Sequence, residues 1–229
     1  MNILAMDTST KHFSLAVLKN NKLCETQELA LDKVLSDSMI PSIDGILRKA
    51  KVAFTALDGF AVGLGPGSFT SLRVGLSTIK GFCLATQKPV VGISSLDLIA
   101  QNIKAAQDQD ICVISDAKRN MVYAAIFRYG KNGLKRIGKY FLIEVKDLLP
   151  QIKKDTIFVG DGIALYRDPI EKHFAKTNFK ITFAQEATWL PRAEHLAFLA
   201  LGRFEKKKTD NINKIVPLYL YRQDCQVNR

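Results

Sequence analysis

The stretch GLGPGSFTSLRVGLSTIKGF, from Gly63 to Phe82, carries the strongest structural signal in this chain. An apolar strand over residues 59–64 leads into the turn Gly65-Pro66-Gly67, and a helix is predicted from about Phe69 to Thr86. Ser68 stands where a helix cap is expected, and free N–H groups of a first helical turn favour anions. The stretch is neither GxGxxG nor a Walker loop, so it is a weak phosphate-binding signal. It predicts a strand–loop–helix unit of an α/β fold.

The chain around this unit alternates strands and helices in an order that occurs twice. Three short strands, a helix, the Gly59–Leu64 strand, the long helix and a further strand make up the first half. A shift of 109 positions places Asp7 on Asp116, and further along the chain FAVGLG (Phe60–Gly65) aligns with IFVGDG (Ile157–Gly162), which indicates an internal duplication. We predict an α/β protein of two duplicated ribonuclease-H-like lobes of the actin (ASKHA) type, with mixed sheets. Residues 1–101 form the predicted N-terminal lobe and residues 102–229 the C-terminal lobe.

Composition sets the broad class. The chain has 229 residues, 47% of them hydrophobic, which is an ordinary globular balance. No signal-peptide pattern and no apolar run long enough for a membrane helix is found, so we predict a cytoplasmic protein that does not contact membranes. Four scattered cysteines and three histidines lack metal-ligand spacing, and we expect no disulfide and no bound metal.

The net charge of +11 is the one unusual bulk property. A basic surface fits a nucleic-acid partner, an acidic protein partner, or solubility alone. Basic residues are densest at Lys131–Lys139, Lys153–Lys154 and Lys206–Lys208, without the aromatic-interleaved pattern of RNA-recognition motifs.

Two acidic loops are candidates for nucleotide chemistry. In the predicted architecture Asp7 and Asp116 each follow the first strand of a lobe and face the cleft between the lobes. Such carboxylates can hold a magnesium nucleotide, although neither loop contains the glycine that a phosphate hairpin uses. Simple turn and capping chemistry remains the alternative. The candidate cleft residues are Asp7, Thr8, Ser9, Asp116, Gly65 and Gly67. No catalytic triad is found, and we expect no catalytic residue.

The long helix has a row of small residues beside its apolar stripe. A glycine inside a helix usually marks the close approach of another element, either within the chain or from a second subunit. The first helix of the predicted N-terminal lobe and the long helix together carry more apolar or small positions than the sheet of that lobe can cover. We therefore expect an outward-facing partner seam formed by Met39, Ile43, Leu47, Ser71, Gly75 and Thr78.

Together these stretches resemble the TsaB (YeaZ) family, the dimerisation subunit of the bacterial tRNA threonylcarbamoyladenosine machinery. The resemblance rests on GPGSFTSLRVG, the opening ILAMDTST, the segment SDAKRNMVY, the stretch PRAEHLAFLA and the ending PLYLYR. It covers nearly the whole chain. The departures from the family pattern are Leu35, Ser71, Lys118 and an additional aromatic residue, Tyr221.

The resemblance implies a non-catalytic pseudo-enzyme subunit. It would bind and activate the catalytic paralogue TsaD, for threonylcarbamoylation of the adenosine next to the anticodon in tRNAs. TsaE, an ATPase, would complete the complex, and the chain alone would pair with itself through its first two helices. Cofactors of its own are not implied, because ATP or ADP and the metal belong to the partner subunits, and tRNA is met through the complex. Two other classes remain open: an ASKHA-type ATP-dependent phosphotransferase acting alone, and a direct RNA-binding module.

Overall fold

The computed structural model describes residues 1–30, 35–106, 109–130 and 133–221, and the chain forms two compact units. Unit 1 comprises Met1–Leu98 and Pro191–Leu218. Unit 2 comprises Ile99–Leu190 and the end of the described chain, residues 219–221. No helix in these described ranges is long and apolar enough to span a bilayer.

Unit 1 is built on a five-stranded mixed sheet with the order β3-β2-β1-β4-β5. Its strands are β1 (Ile3–Asp7), β2 (His12–Lys19), β3 (Lys22–Ala30), β4 (Gly59–Gly63) and β5 (Val90–Ile93). The first three pair antiparallel, as the Asn20-Asn21 turn between β2 and β3 predicts, because both asparagines adopt positive φ. Strands β1, β4 and β5 run parallel, so their carboxyl ends lie side by side.

Helices cover both faces of this sheet. The helices α1 (Leu35–Ala50) and α2 (Phe69–Thr86) bury apolar side chains against Leu4, Met6 and the other residues of that face. The helix α6 (Ala193–Glu205) packs on the opposite face, against Ile3, Ala5 and their neighbours. Burial of alternate strand residues on opposite faces explains why β1, β2 and β4 are nearly continuous apolar runs.

Unit 2 repeats the topology with the strand order β10-β9-β6-β7-β8. Its strands are β6 (Asp110–Asp116), β7 (Met121–Gly130), β8 (Gly133–Glu144), β9 (Thr156–Val159) and β10 (Ile181–Phe183). Its helices are α4 (Val145–Leu148) and α5 (Ile163–Phe174), while α3 (Ser95–Gln101) begins in unit 1 and ends in unit 2. The α/β class with two mixed sheets is confirmed. The matching strand orders are those that an internal duplication predicts.

The compact units differ from the predicted division at residue 101. Sequence order placed the last helix in the second lobe, whereas Pro191–Leu218 packs with unit 1. The physical reason is burial: α6 covers an apolar sheet face that would otherwise meet water, and its Leu196, Ala197 and Ala200 are fully buried there.

Candidate functional site

Asp7 lies at the carboxyl end of β1 in a closed hydrogen-bond network. Its side chain is fully buried, and its Oδ1 accepts hydrogen bonds from the Ser9 N–H at 2.8 Å and the Ser9 hydroxyl at 2.6 Å. Its Oδ2 accepts a third from the Ser95 hydroxyl at 2.6 Å. Burial raises the pKa of Asp7, and the hydrogen bonds from Ser9 and Ser95 offset this only in part. Both oxygens of the Asp7 carboxyl group are thus engaged by residues of unit 1.

The glycine loop after β4 is joined to the same network. The Gly65 N–H donates to the Ser95 hydroxyl at 3.1 Å, and the Ser68 N–H donates to the Ser9 carbonyl at 2.7 Å. A side chain at Gly67 would overlap the Ser9 carbonyl, so glycine is needed there for close approach of the two loops. The backbone N–H groups of this loop made it a candidate anion-binding site. Two of them, those of Gly65 and Ser68, instead donate hydrogen bonds within unit 1.

Thr8 and Ser9 are also buried, at 1% and 2% exposure. The Thr8 hydroxyl donates to the Ser71 carbonyl at 2.9 Å and seats the loop after β1 on the first turn of α2. Ser68 occupies the cap position as predicted, but its hydroxyl pairs with that of Ser71 at 2.9 Å and makes no cap hydrogen bond to the backbone. The unit-1 candidates Asp7, Thr8, Ser9, Gly65 and Gly67 thus do come together, as one packed loop cluster.

In unit 2 the equivalent position is more open. Asp116 lies at the end of β6, and its carboxylate accepts the Lys118 N–H at 2.8 Å and pairs with the Lys118 ammonium group. Burial raises the pKa of Asp116, but the contacts with Lys118 outweigh it, so the pKa lies below its ordinary value. Asp161, which follows β9, accepts the Ser115 hydroxyl at 2.7 Å and the Asp116 N–H at 3.0 Å. Asp116 therefore forms a surface ion pair, unlike the sealed Asp7.

The loop after β6 has an unusual backbone that the end of the described chain contacts. Lys118, Arg119 and Asn120 all adopt positive φ, between 52° and 64°. The Tyr221 hydroxyl donates to the Ala117 carbonyl at 2.7 Å, and its ring packs edge-on against Tyr123 at 6.1 Å. The additional aromatic residue noted in the sequence thus braces the loop that carries Lys118.

Burial contradicts the predicted outward seam at Met39, Ile43, Leu47 and Gly75, whereas its assignment at Ser71 and Thr78 stays a prediction. Met39, Ile43 and Leu47 are only 1–5% exposed and belong to the core beneath α1. Gly75 is buried, and a Cβ there would lie 2.5 Å from the Thr8 Oγ1, so the close approach that its glycine marks is intramolecular. Ser71 and Thr78 are half-buried, and the Thr78 hydroxyl donates to the Val74 carbonyl at 3.0 Å. Because the apolar stripe of each helix faces its own sheet, that stripe is not available to a partner.

The solvent-facing side of α1 and α2 nevertheless carries large apolar residues beside small ones. We define this outer face as Ile40, Phe69, Ser77, Gly81 and Leu84. Its three large side chains are 42–59% exposed, and a Cβ built at Gly81 meets nothing within 4 Å. The Arg73 guanidinium stacks over the Phe69 ring at 3.7 Å from its centroid.

Two residues of these sites, Ser95 and Asp161, were not among the candidates predicted from the sequence. The Ser95 hydroxyl donates to Asp7 although the two residues are 88 positions apart in the chain. No local sequence pattern around Ser95 indicates this contact. Asp161 stands inside the IFVGDG stretch that the repeat alignment had already found, so its position opposite the β6 end could have been inferred. Among the described residues no group of three or more His, Cys, Asp or Glu side chains could hold a metal ion.

Superposition on solved structures of other proteins shows the fold class of this architecture. The activator of the 2-hydroxyisocaproyl-CoA dehydratase from Clostridium difficile, with bound ADPNP, superposes with a TM-score of 0.51 at 12% identity, covering 92% of this chain and 99% of that one. YeaZ from Pseudomonas aeruginosa superposes with a TM-score of 0.79 at 24% identity, covering 96% and 99%. The two mixed sheets share one strand order, and together with these structural neighbours they define the fold as ASKHA-type.

Sequence comparison identifies the family. A family model described as "TsaD: tRNA N6-adenosine threonylcarbamoyltransferase" matches residues 30–228. The tRNA threonylcarbamoyladenosine biosynthesis protein TsaB of Bacillus subtilis (strain 168) is 29% identical over 223 residues, which cover 96% of this chain and 94% of that protein. The chain belongs to the TsaB (YeaZ) family of tRNA threonylcarbamoyladenosine biosynthesis proteins.

Proposed function

We propose that this chain is a non-catalytic subunit that binds and activates a TsaD-type catalytic paralogue during threonylcarbamoylation of the adenosine next to the anticodon in tRNA. Family membership supports the pathway. The outer face of α1 and α2 is the observation that carries the binding role. Single exposed apolar residues are ordinary on a protein surface, but here three large ones share two neighbouring helices with Ser77 and Gly81.

The outer face has the chemistry of a helix-packing surface. Small residues on α2 let another helix approach closer than the usual 8–10 Å, and the flanking Phe69 and Leu84 supply apolar area. In our proposal TsaD takes this face in the complex, and a second copy of the chain takes it in the homodimer. TsaE joins the assembled complex, and the nucleotide and metal reside on the partner subunits.

The loop cluster around Asp7 supports a role without catalysis. A magnesium nucleotide needs carboxylate oxygens and free N–H groups, whereas the Asp7 oxygens and the Gly65 and Ser68 N–H groups are engaged within unit 1. These contacts disfavour the stand-alone phosphotransferase. Turnover of magnesium ATP with an acceptor by the purified chain alone would contradict the proposal.

We predict that Gly81→Arg weakens association with the TsaD paralogue by roughly tenfold to a hundredfold. A long charged side chain at a close-packed seam costs about 1–3 kcal/mol, and 1.4 kcal/mol is a factor of ten in affinity. The measurement is co-purification and titration of the two proteins from the same genome, followed by assay of threonylcarbamoylated tRNA.

The matched control is Gly202→Arg. Gly202 also lies inside a helix with open space around its Cβ position, but on α6, which covers the opposite face of the unit-1 sheet. We expect the control to retain both association and tRNA modification. Equal affinities for the two variants would show that the outer face is not the binding surface.

A further inference from the structure

The unit-2 sheet has oppositely charged ends. Asp116 and Asp161 lie at the carboxyl ends of β6 and β9. At the other end of the sheet, and along β8, exposed cations collect instead. We call them the basic row: Lys135, Arg136, Lys139, Lys153 and Lys180. Within the described part of the chain none of these five forms an ion pair with a carboxylate.

Strand register puts the ends of the row in one line. Lys135 of β8 pairs with Arg128 of β7, and Arg128 pairs with Asp110 of β6. Asp110 in turn pairs with Thr156 of β9, which pairs with Ile181 of β10. Lys153 precedes β9 and Lys180 precedes β10, so the line crosses all five strands. Four interstrand steps of about 4.8 Å give a row roughly 19 Å long.

The acidic groups at this end are already engaged. Asp110 is 5% exposed and accepts two hydrogen bonds from the Arg128 guanidinium, at 2.5 and 2.8 Å. The Asp155 carboxylate accepts the Lys180 N–H at 2.9 Å. Asp155 keeps its charge in that contact, but the five cations of the row outnumber it, so the net charge at this end is positive.

Two cations of the row are held over aromatic rings of β8. The Arg136 guanidinium lies 3.7 Å from the centroid of the Tyr140 ring, and the Lys139 ammonium lies 5.8 Å from that of Phe141. The sequence shows no RNA-recognition motif here, yet the folded strand sets cations beside aromatic rings. Cations with adjacent aromatic platforms are how grooves for single-stranded nucleic acid combine phosphate contact and base stacking.

We propose that the basic row binds the sugar–phosphate backbone of tRNA. The inference rests on the proposed function, which makes tRNA the substrate of the complex. A nucleic-acid strand offers both phosphates for the cations and base faces for the aromatic platforms, whereas an acidic protein surface would use the charge alone.

We predict that the triple variant Lys135→Gln, Arg136→Gln and Lys139→Gln binds tRNA at least about tenfold more weakly, and that the slope of log K against log salt falls in magnitude by roughly 2–3. Fluorescence anisotropy of labelled tRNA between about 50 and 200 mM salt measures both quantities, on the full chain alone and with its TsaD paralogue. The matched control is Lys206→Gln, Lys207→Gln and Lys208→Gln. It removes the same charge from exposed lysines of unit 1, and we expect its affinity to stay within about twofold of the wild type.

Equal losses in the two triple variants would overturn the inference, because net charge alone would then explain them. Undetectable binding of tRNA by the wild-type chain and by its complex would also overturn it, as would a β8 triple that loses TsaD or TsaE but keeps its affinity for tRNA. Failure of the proposed function is a separate result: the wild-type chain would then not associate with TsaD. The comparison of tRNA binding by the two triples would still decide the role of the basic row.

Discussion

Gly75→Leu should destabilise unit 1 by about 3 kcal/mol and lower the melting temperature by roughly 6–12 °C. The Gly75 Cα faces the buried Thr8, and even a Cβ would lie 2.5 Å from the Thr8 Oγ1 and 3.0 Å from its Cγ2. A leucine must therefore push the loop after β1 away from α2, which breaks the hydrogen bond from the Thr8 hydroxyl to the Ser71 carbonyl. Thermal melts followed by circular dichroism measure the effect.

Gly81→Leu is the matched control, because it makes the same substitution six positions further along the same helix. Gly81 is exposed, with nothing within 4 Å of a Cβ. Leucine is a better helix former than glycine by about 0.8 kcal/mol, so the control should melt at the same temperature as the wild type or slightly higher. If both variants melted alike, the packing of Gly75 against Thr8 would not be a stabilising contact.

The two glycines show where sequence reasoning about this helix reaches its limit. A helical glycine indicates close approach, and both Gly75 and Gly81 carry that signal. Which of them faces its own unit depends on the loop after β1, which is 67 residues from Gly75 in the chain at Thr8. Helical periodicity also places Met39, Ile43 and Leu47 on one stripe, and their burial shows that this stripe is the core side of α1.

Local patterns did predict the elements well. The bounds of α2 match the sequence prediction at both ends, because apolar periodicity and the flanking turn residues are local signals. The packing of α6 against the unit-1 sheet joins residues that are far apart in the chain, so no local pattern predicts it. In the same way, the Ser95 hydroxyl reaches Asp7 only because β1, β4 and β5 end side by side, which follows from the sheet order.

The repeat alignment equates Asp7 with Asp116, yet their environments are opposite. Asp7 is fully buried among three hydrogen-bond donors. Asp116 is partly exposed and pairs with the Lys118 ammonium group. Position in the duplicated fold is therefore conserved between the units while the electrostatic role is not.

We predict that Asp7→Ala destabilises unit 1 by about 3 kcal/mol, because three buried donors lose their acceptor and each buried group left unsatisfied costs about 1–3 kcal/mol. The Ser9 N–H and the hydroxyls of Ser9 and Ser95 would lose their acceptor, and the loops after β1 and β5 would lose their link. Chemical denaturation at neutral pH measures the loss. Asp116→Ala is the control, and we expect at most about 1 kcal/mol, because the ion pair with Lys118 lies at the surface.

Replacing each aspartate with asparagine should give opposite pH dependences. Burial raises the pKa of Asp7 in the folded state, so its contribution to stability is fully present below the unfolded pKa of about 3.9 and is lost as pH rises through the folded pKa. The stability of the wild type relative to Asp7→Asn should therefore fall as pH rises from about 4. Asp116 has a lowered pKa through Lys118 despite partial burial, so the stability of the wild type relative to Asp116→Asn should fall instead as pH drops below about 4. Free energies of unfolding of the three proteins across this pH range test both signs. A wild-type advantage over Asp7→Asn that grew with pH would mean that hydrogen bonds outweigh burial at Asp7, and that this loop retains a stable carboxylate at neutral pH.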